Sequence, residues 1–175
     1  MLKLKKFPIN GSAMILSLVM VLILTVIGVA AVNFTSLGER LTNNQRDTQL
    51  AFNAAESALA AGENWLAEQA NAPKTVSSCE EAPCLVWSKN SFNNLQAKSH
   101  DWWQTHARPF PGKLAKVKTQ PRFIIEQQEF VASELNPDLS AKQMGSHYYR
   151  VTARGTGSSN RSAALVQSIF VVKYN

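Results

Sequence analysis

The stretch from Ala13 to Val32, AMILSLVMVLILTVIGVAAV, contains 20 residues and no charged side chain. A helix of this length is about 30 Å long, because each residue adds roughly 1.5 Å, and that length matches the hydrocarbon core of a bilayer. Its only polar side chains are those of Ser17 and Thr25. Their hydroxyl groups can donate to carbonyl oxygens of the preceding turn. The stretch therefore predicts one membrane-spanning helix.

The residues before this span, MLKLKKFPING, include three lysines and no acid. Lysines beside a first hydrophobic segment keep that end in the cytoplasm, so the remainder is predicted on the other side of the membrane. A secretory signal peptide shares the basic start. Its apolar region is usually about 7 to 15 residues, however, and a small-residue cleavage site follows it. This span is longer and is followed by NFTS at residues 33–36, so removal of the whole span is not favoured.

Helical periodicity continues beyond the span. Apolar and small residues recur every three or four positions and so share one face: Leu37, Leu41, Asn44, Thr48, Phe52, Ala55, Leu59, Gly62 and Leu66. The first stop signal is Asn71-Ala72-Pro73, which predicts one helix of about 60 residues. Residues 12–33 would span the membrane, and residues 34–71 would form an amphipathic continuation. A linker coiled coil is less favoured, because Asn44 and Thr48 suit its seam poorly.

The globular head, residues 72–175, is predicted to contain an antiparallel sheet. Strands are expected at Arg122 to Val131, His147 to Arg154 and Ser162 to Tyr174, the last apolar on both faces like a central strand. Residues 71–90 and 132–146 are typical of loops, and residues 91–106 could form a short second helix. One long helix followed by strands predicts an α+β fold, in which the helix covers one face of the sheet.

Composition narrows the function classes. Three of the 18 basic residues lie in the first 11, which leaves 15 basic against 12 acidic residues, a net charge of +3. That balance is typical of an ordinary surface and does not indicate nucleic-acid binding. The sequence lacks the motifs of serine hydrolases, zinc peptidases, phosphate-binding loops and calcium-binding loops. Neither an enzyme activity nor a cofactor or metal is predicted.

The two cysteines, Cys79 and Cys84, are separated by Glu-Glu-Ala-Pro. In an exported domain such a pair is most simply a disulfide, which would contribute roughly 2 kcal/mol by closing a small loop. Free or partner-linked thiols are a second interpretation. A third is a zinc site with His100 and His106, although its spacing is loose and thiolate zinc sites are unusual in exported domains.

The adjacent Trp102 and Trp103 cannot both enter one small core from a helix. At least one is expected to be partly exposed, where it could serve as a binding aromatic. Glu39, Arg40, Arg46 and Asp47 place opposite charges just beyond the span, either as a solvated helix face or as contacts to neighbouring subunits.

Three segments carry a resemblance to a known family. A basic leader that ends in Gly11 and precedes an uncharged helix resembles a type IV prepilin. LGERLTNNQRDTQLAFNAAESAL, residues 37–59, and YYRVTARGTG, residues 148–157, resemble PilX-type minor pilins. The resemblance covers residues 11–65 and 147–172. It implies that a prepilin peptidase cuts after Gly11 and N-methylates Ser12, so that residues 1–11 are a leader.

One residue departs from the pattern of the family. Most pilins carry a glutamate at the position of Leu16, where the carboxylate meets the amino terminus of a neighbouring subunit. In related type II secretion systems the minor pseudopilin without this glutamate is assigned to the filament tip. The resemblance therefore implies a tip or priming complex, supporting motility, adhesion or DNA uptake.

The implied partners are other minor pilins, the major pilin, the inner-membrane assembly platform and, before assembly, membrane lipid. The implied location is the inner membrane with the head in the periplasm, followed by the pilus. Two alternatives stay open at this stage. One is a minor pseudopilin of a type II secretion system, and the other is a single-span periplasmic binding or sensor module.

Overall fold

Helix α1, Ser12–Ala67, is 56 residues long. The computed structural model describes residues 12–78, 84–132 and 145–174, and these fall into two compact units that divide between Asn44 and Gln45. No proline precedes Pro73 after the helix begins, and alanine is the most frequent residue of its second half. The single long helix is confirmed. It ends before Asn71, where the Gln69 side-chain amide donates to the carbonyl of Trp65 at 2.9 Å.

The remaining elements of the unit formed by residues 45–175, here called the globular unit, build a sheet and one short helix. They are β1 (Thr75–Val76), β2 (Val86–Trp87), α2 (His100–His106), β3 (Arg108–Pro109), β4 (Arg122–Ala132), β5 (Gly145–Thr156) and β6 (Ala163–Tyr174). The described strands lie in the order β1-β2-β4-β5-β6, and β3 pairs with β4. The α+β, pilin-like architecture is confirmed.

The sheet is mixed, which corrects the prediction of a wholly antiparallel one. β4, β5 and β6 are antiparallel neighbours, whereas β1 and β2 pair in parallel and β2 pairs in parallel with β4. β1 and β2 lie within residues 71–90, which were predicted to be a loop. Strands of two residues leave no periodicity in a sequence. β2, whose two residues are both buried, pairs with β4 through Trp87 opposite Glu126, and β1 pairs with β2.

The three long strands were predicted at nearly their observed bounds, but their arrangement differs from the prediction. β5 is central, with β4 on one side and β6 on the other. β6 is an edge strand that leaves Ile169 59% and Val171 48% exposed. Apolar residues on both faces of a strand look the same in the sequence whether its second face is covered or exposed. The pattern alone therefore wrongly predicted that β6 is a central strand.

The second helix is shorter than predicted from residues 91–106. A 3-10 turn occupies Leu95–Ala97, and α2 begins after Ser99, whose hydroxyl accepts from the backbone N–H of Trp102 at 3.2 Å. Asn94 adopts a left-handed conformation, with φ of 53°, immediately before the 3-10 turn. These two residues break the segment into separate pieces.

Two apolar cores lie on opposite faces of the sheet. The inner core is formed by α1 against the sheet, with Leu66, Phe123, Tyr149 and Val151 among its buried members. The outer core lies on the face away from α1 and contains Trp87, Trp103, Ala107 and Ile124. The sheet is therefore covered by α1 on its inner face and by α2 with its preceding segment on part of its outer face.

Candidate functional site

The apolar segment of α1 has no cover within the described chain. Every large hydrophobic side chain from Met14 to Val32 is at least 47% exposed. The helix is long and apolar enough to cross a membrane. A continuous surface of this kind requires an apolar surrounding, which lipid or other protein subunits can supply.

The polar groups of this segment are satisfied by the helix itself, as predicted. Ser17 Oγ donates to the carbonyl of Met14 at 2.9 Å, and Thr25 Oγ1 donates to the carbonyl of Leu22 at 2.7 Å. Neither hydroxyl needs water or a partner subunit. The helix can therefore sit in hydrocarbon without leaving a side-chain donor unpaired.

Two of the predicted processing and assembly positions lie at the start of α1. Gly11 lies outside the described residues, and Ser12 is the first residue of the helix. Leu16 is 68% exposed on the apolar segment. Processing at Gly11 and Ser12 remains a prediction, and Leu16 continues the hydrophobic surface of the segment.

The four charged residues that follow the span divide into two groups. Glu39, Arg40 and Arg46 are exposed. Asp47 instead bonds to the hairpin loop between β5 and β6: Ser158 donates from its backbone N–H at 2.5 Å and from its hydroxyl at 2.7 Å, and Ser159 donates at 3.3 Å. Asp47 thus has a role within its own subunit, and subunit contacts by the other three remain a prediction.

The hydrogen bonds from the Ser158 side chain and backbone lower the pKa of Asp47 below its ordinary value of 3.8. We expect Asp47→Asn to raise hydrogen exchange at the Ser158 amide by roughly fivefold, because the amide oxygen of asparagine is a weaker acceptor. Amide exchange measured by NMR or mass spectrometry tests this. The control is Glu39→Gln, which alters an exposed side chain, and unchanged exchange in Asp47→Asn would refute the anchoring role.

Low pH should loosen the contact between Asp47 and Ser158, as Asp47→Asn does. A carboxyl group whose pKa is lowered by folding stabilises the folded contact above its ordinary pKa, and this contribution is lost as pH falls through the lowered value. We therefore expect the loop to be firmly held at neutral pH and to loosen only below about pH 3.8. Exchange in Asp47→Asn should lack this acid-dependent step.

Close approach between α1 and the sheet depends on small residues. The buried face of α1 contains Ala51, Ala54, Ala55 and Ala58, with exposures of 2% or less. Opposite them, a Cβ at Gly155 would overlap the backbone oxygen of Ala51 and the backbone nitrogen of Ala55. The segment RGTG at residues 154–157 therefore lets β5 lie directly on the helix.

This packing face differs from the predicted stripe, in which five members are exposed: Leu37, Leu41, Asn44, Thr48 and Phe52. Phe52 was placed on the buried face but is 44% exposed, whereas Ala51 is fully buried. The helix needs its smallest side chains where the strand comes closest, so size decides which face is buried. Hydrophobicity alone favoured the phenylalanine.

The outer core contains a ladder of aromatic rings. Trp87, Phe92 and Trp102 stack edge to face, with ring centroids 4.6 and 5.0 Å apart, and Trp102 is stacked with His106 at 4.6 Å. Trp102 is half-buried and Trp103 is only 1% exposed. The prediction that Trp103 is an exposed binding aromatic is therefore wrong, and a binding role for Trp102 remains a prediction.

A buried charge pair lies beside this ladder and was not predicted. Glu126 on β4 is fully buried, and Arg150 on β5 donates to its Oε2 from Nε at 3.1 Å and from NH2 at 2.9 Å. The backbone N–H of Phe92 donates to the other carboxylate oxygen at 3.4 Å. The signal in the sequence was a glutamate that directly follows the apolar residues 123–125, because a carboxylate among buried positions needs a cation.

Only one cysteine of the predicted pair lies within the described residues. Cys79 lies outside the described residues, while Cys84 is half-buried beside the outer core, so the disulfide remains a prediction. His106 stacks on Trp102, and His100 Nδ1 lies 3.1 Å from Arg154 NH1. Within residues 12–78, 84–132 and 145–174, no group of three or more histidine, cysteine or acidic side chains could hold a metal ion.

Two family profiles match the chain. The profile of the PilX N-terminal region matches residues 10–60, and that of the type IV pilus assembly protein PilX C-terminal region matches residues 42–172. The chain belongs to the PilX family. The two matches together span the apolar segment and the globular unit, including residues 66–146, where no resemblance was recognised from the sequence.

PilX is a structural pilin family, and it assigns the chain to type IV pilus assembly. The one helix among the described residues that is long and apolar enough to cross a membrane fits a membrane-anchored pilin of this family. Comparison with curated proteins and with solved structures gives no match. Membership therefore rests on the two profiles, and the structure agrees with it through the long helix and the sheet that covers its second half.

Proposed function

We propose that this PilX-family chain is a minor pilin of the priming or tip complex, held in the inner membrane with its globular unit in the periplasm until the pilus takes it up. The observation that supports this most is the uncovered apolar segment of α1, at least 47% exposed at every large side chain from Met14 to Val32. In the membrane lipid would cover it, and in the filament the helices of other pilins would do so.

The proposal requires the apolar segment of α1 to move from lipid into the core of the filament. Burial of apolar surface contributes roughly 25 cal/mol per Å² in water, but lipid and a helical filament core are both apolar. Transfer between them therefore changes little of that free energy, and packing between helices can decide the outcome. Hydroxyls already bonded within the helix, such as those of Ser17 and Thr25, need no new partner after transfer.

Leu16 supports the tip position. In the family resemblance, a carboxylate at this position meets the amino terminus of a neighbouring subunit, and this chain has an alkyl side chain there. A subunit without that carboxylate suits a site where the usual neighbour contact is not made. The partners would be other minor pilins and the major pilin, after a prepilin peptidase has removed residues 1–11.

Deletion of the gene tests the proposal. We expect loss of most surface pili, recovery when the gene is supplied again, and recovery when retraction is also disabled, because a priming subunit accelerates initiation and retraction removes slow-growing fibres. Immunogold labelling should place the protein at pilus ends. Unchanged piliation in the deletion strain would refute an assembly role, and label spread evenly along the shaft would refute the tip position.

A further inference from the structure

Two arginines face each other on the outer face of the sheet. Arg122 on β4 is directly opposite Arg154 on β5. Arg122 NH1 donates to the carbonyl of Ala107 at 2.7 Å, at the end of α2. Its charge is therefore partly compensated by the negative end of that turn. Arg154 lies at 3.1 Å from His100 Nδ1, a contact that supplies no carboxylate.

Arg150 provides an internal comparison. It lies on the same strand and the same face as Arg154, and the chain supplies it with Glu126 at 2.9 Å. No carboxylate of the described residues lies within ion-pair distance of Arg154. Burial lowers the pKa of Arg154, yet a guanidinium group stays protonated at neutral pH. Its positive charge is thus partly desolvated and lacks an acidic partner in the described chain.

A cavity of about 130 Å³ lies against Arg154. Lys98 and Gln96 also line the cavity, and the ammonium group of Lys98 lies 5.2 Å from the centre of the Trp102 ring, while Leu95 and Leu165 supply apolar surface. Two cations and an amide donor can bind an anion, and the apolar wall suits the short aliphatic stem of an acidic side chain. Leu165 belongs to β6, the edge strand, so a second protein can reach this cavity from the side of the sheet.

We propose that the cavity at Arg154 and Lys98 binds the carboxylate of an aspartate or glutamate on another pilus subunit. This inference rests on the proposed function, since it names how the globular unit recognises a partner during assembly. A guanidinium and a carboxylate would form paired N–H to oxygen hydrogen bonds, as Arg150 and Glu126 do within the chain.

Side-chain NMR of the full chain in detergent micelles tests the chemistry. Acetate is the probe for a carboxylate, and inorganic phosphate is the probe for a different anion. We expect acetate to cause saturable shifts of the Arg154 Nε–H signal and of the Gln96 side-chain amide signals. The Gln96 signals should not shift in Arg154→Gln, and binding should be about tenfold weaker in Lys98→Gln. Binding of phosphate alone, or no shift at Arg154 with either probe, would overturn the proposal.

Charge reversal tests the partner in cells. We expect Arg154→Glu to reduce surface pili at least tenfold, whereas Lys113→Glu, the same reversal at an exposed position, should leave their number unchanged. Second-site changes that restore pili should convert an acidic residue of another pilus subunit to a basic one. Normal piliation with Arg154→Glu would overturn the proposal.

Two controls keep the outcomes distinct. Tryptophan fluorescence during urea unfolding shows whether Arg154→Glu is folded, and Arg154→Met replaces it if it is not, with the same loss of pili expected. If deletion of the gene leaves pili unchanged, the proposed function fails. If deletion removes pili while folded Arg154→Glu and Arg154→Met both retain them, only the cavity proposal fails.

Discussion

Gly155→Val is expected to lower the free energy of unfolding of the globular unit by about 3 kcal/mol or more. Any Cβ at this position overlaps backbone atoms of Ala51 and Ala55 in α1. Backbone atoms of a helix cannot turn aside as a side chain can, so β5 and α1 would have to separate along their contact. That separation would expose the buried alanines between them.

Two other glycines provide graded controls for this prediction. A Cβ at Gly62 would lie 2.8 Å from Val151 Cγ1 and 2.9 Å from Phe123 Cδ2, both side-chain atoms that can shift. At Gly38 nothing lies within 4 Å. We expect the loss of stability to be largest for Gly155→Ala, smaller for Gly62→Ala and absent for Gly38→Ala, where alanine favours the helix.

Urea unfolding of the full chain in detergent, followed by tryptophan fluorescence, measures these differences. All four tryptophans lie in the globular unit, so the signal reports on that unit. Equal stability of Gly155→Ala and Gly38→Ala would contradict the close approach of β5 to α1.

Glu126→Ala is expected to cost about 3 kcal/mol, near the lower end of values for breaking a buried ion pair. The Glu126 side chain is fully buried, whereas that of Arg150 is 23% exposed. Removal of the carboxylate leaves a guanidinium that water can reach only in part, and it also removes the acceptor of the Phe92 N–H. The segment before α2 should therefore loosen together with the sheet.

A double-mutant cycle separates the interaction free energy of Glu126 and Arg150 from the cost of burying their charges. We expect Glu126→Met with Arg150→Met to be more stable than either change alone, because no unpaired charge then remains. Glu129→Gln, on the exposed side of β4, serves as the matched control. Additive losses in the same urea experiment would show that the two side chains do not stabilise each other.

The features that were predictable from the sequence are those that repeat along the chain. The uncharged run from Ala13 to Val32 and the helix formers after it predicted α1, and the alternation in His147 to Arg154 predicted β5. Each rests on many residues, so local exceptions do not change it.

The features that were missed depend on single contacts between distant segments. In the sequence Gly155 looks like a turn residue. Its role is to let β5 approach α1 at Ala51, about a hundred positions earlier. Val86 and Trp87 form a strand only because β4 lies beside them, and Glu126 gives no sign of Arg150 as its partner. Such pairings are fixed by the fold, and no window of sequence contains both members.

The central question about this chain is whether the apolar segment of α1 becomes part of the pilus after residues 1–11 are removed. Mass spectrometry of the amino-terminal peptide from sheared, purified pili tests it most directly. We expect a peptide that begins at N-methylated Ser12, recovered with the fibres. Recovery of the protein from membranes alone, with residues 1–11 still attached, would contradict the account.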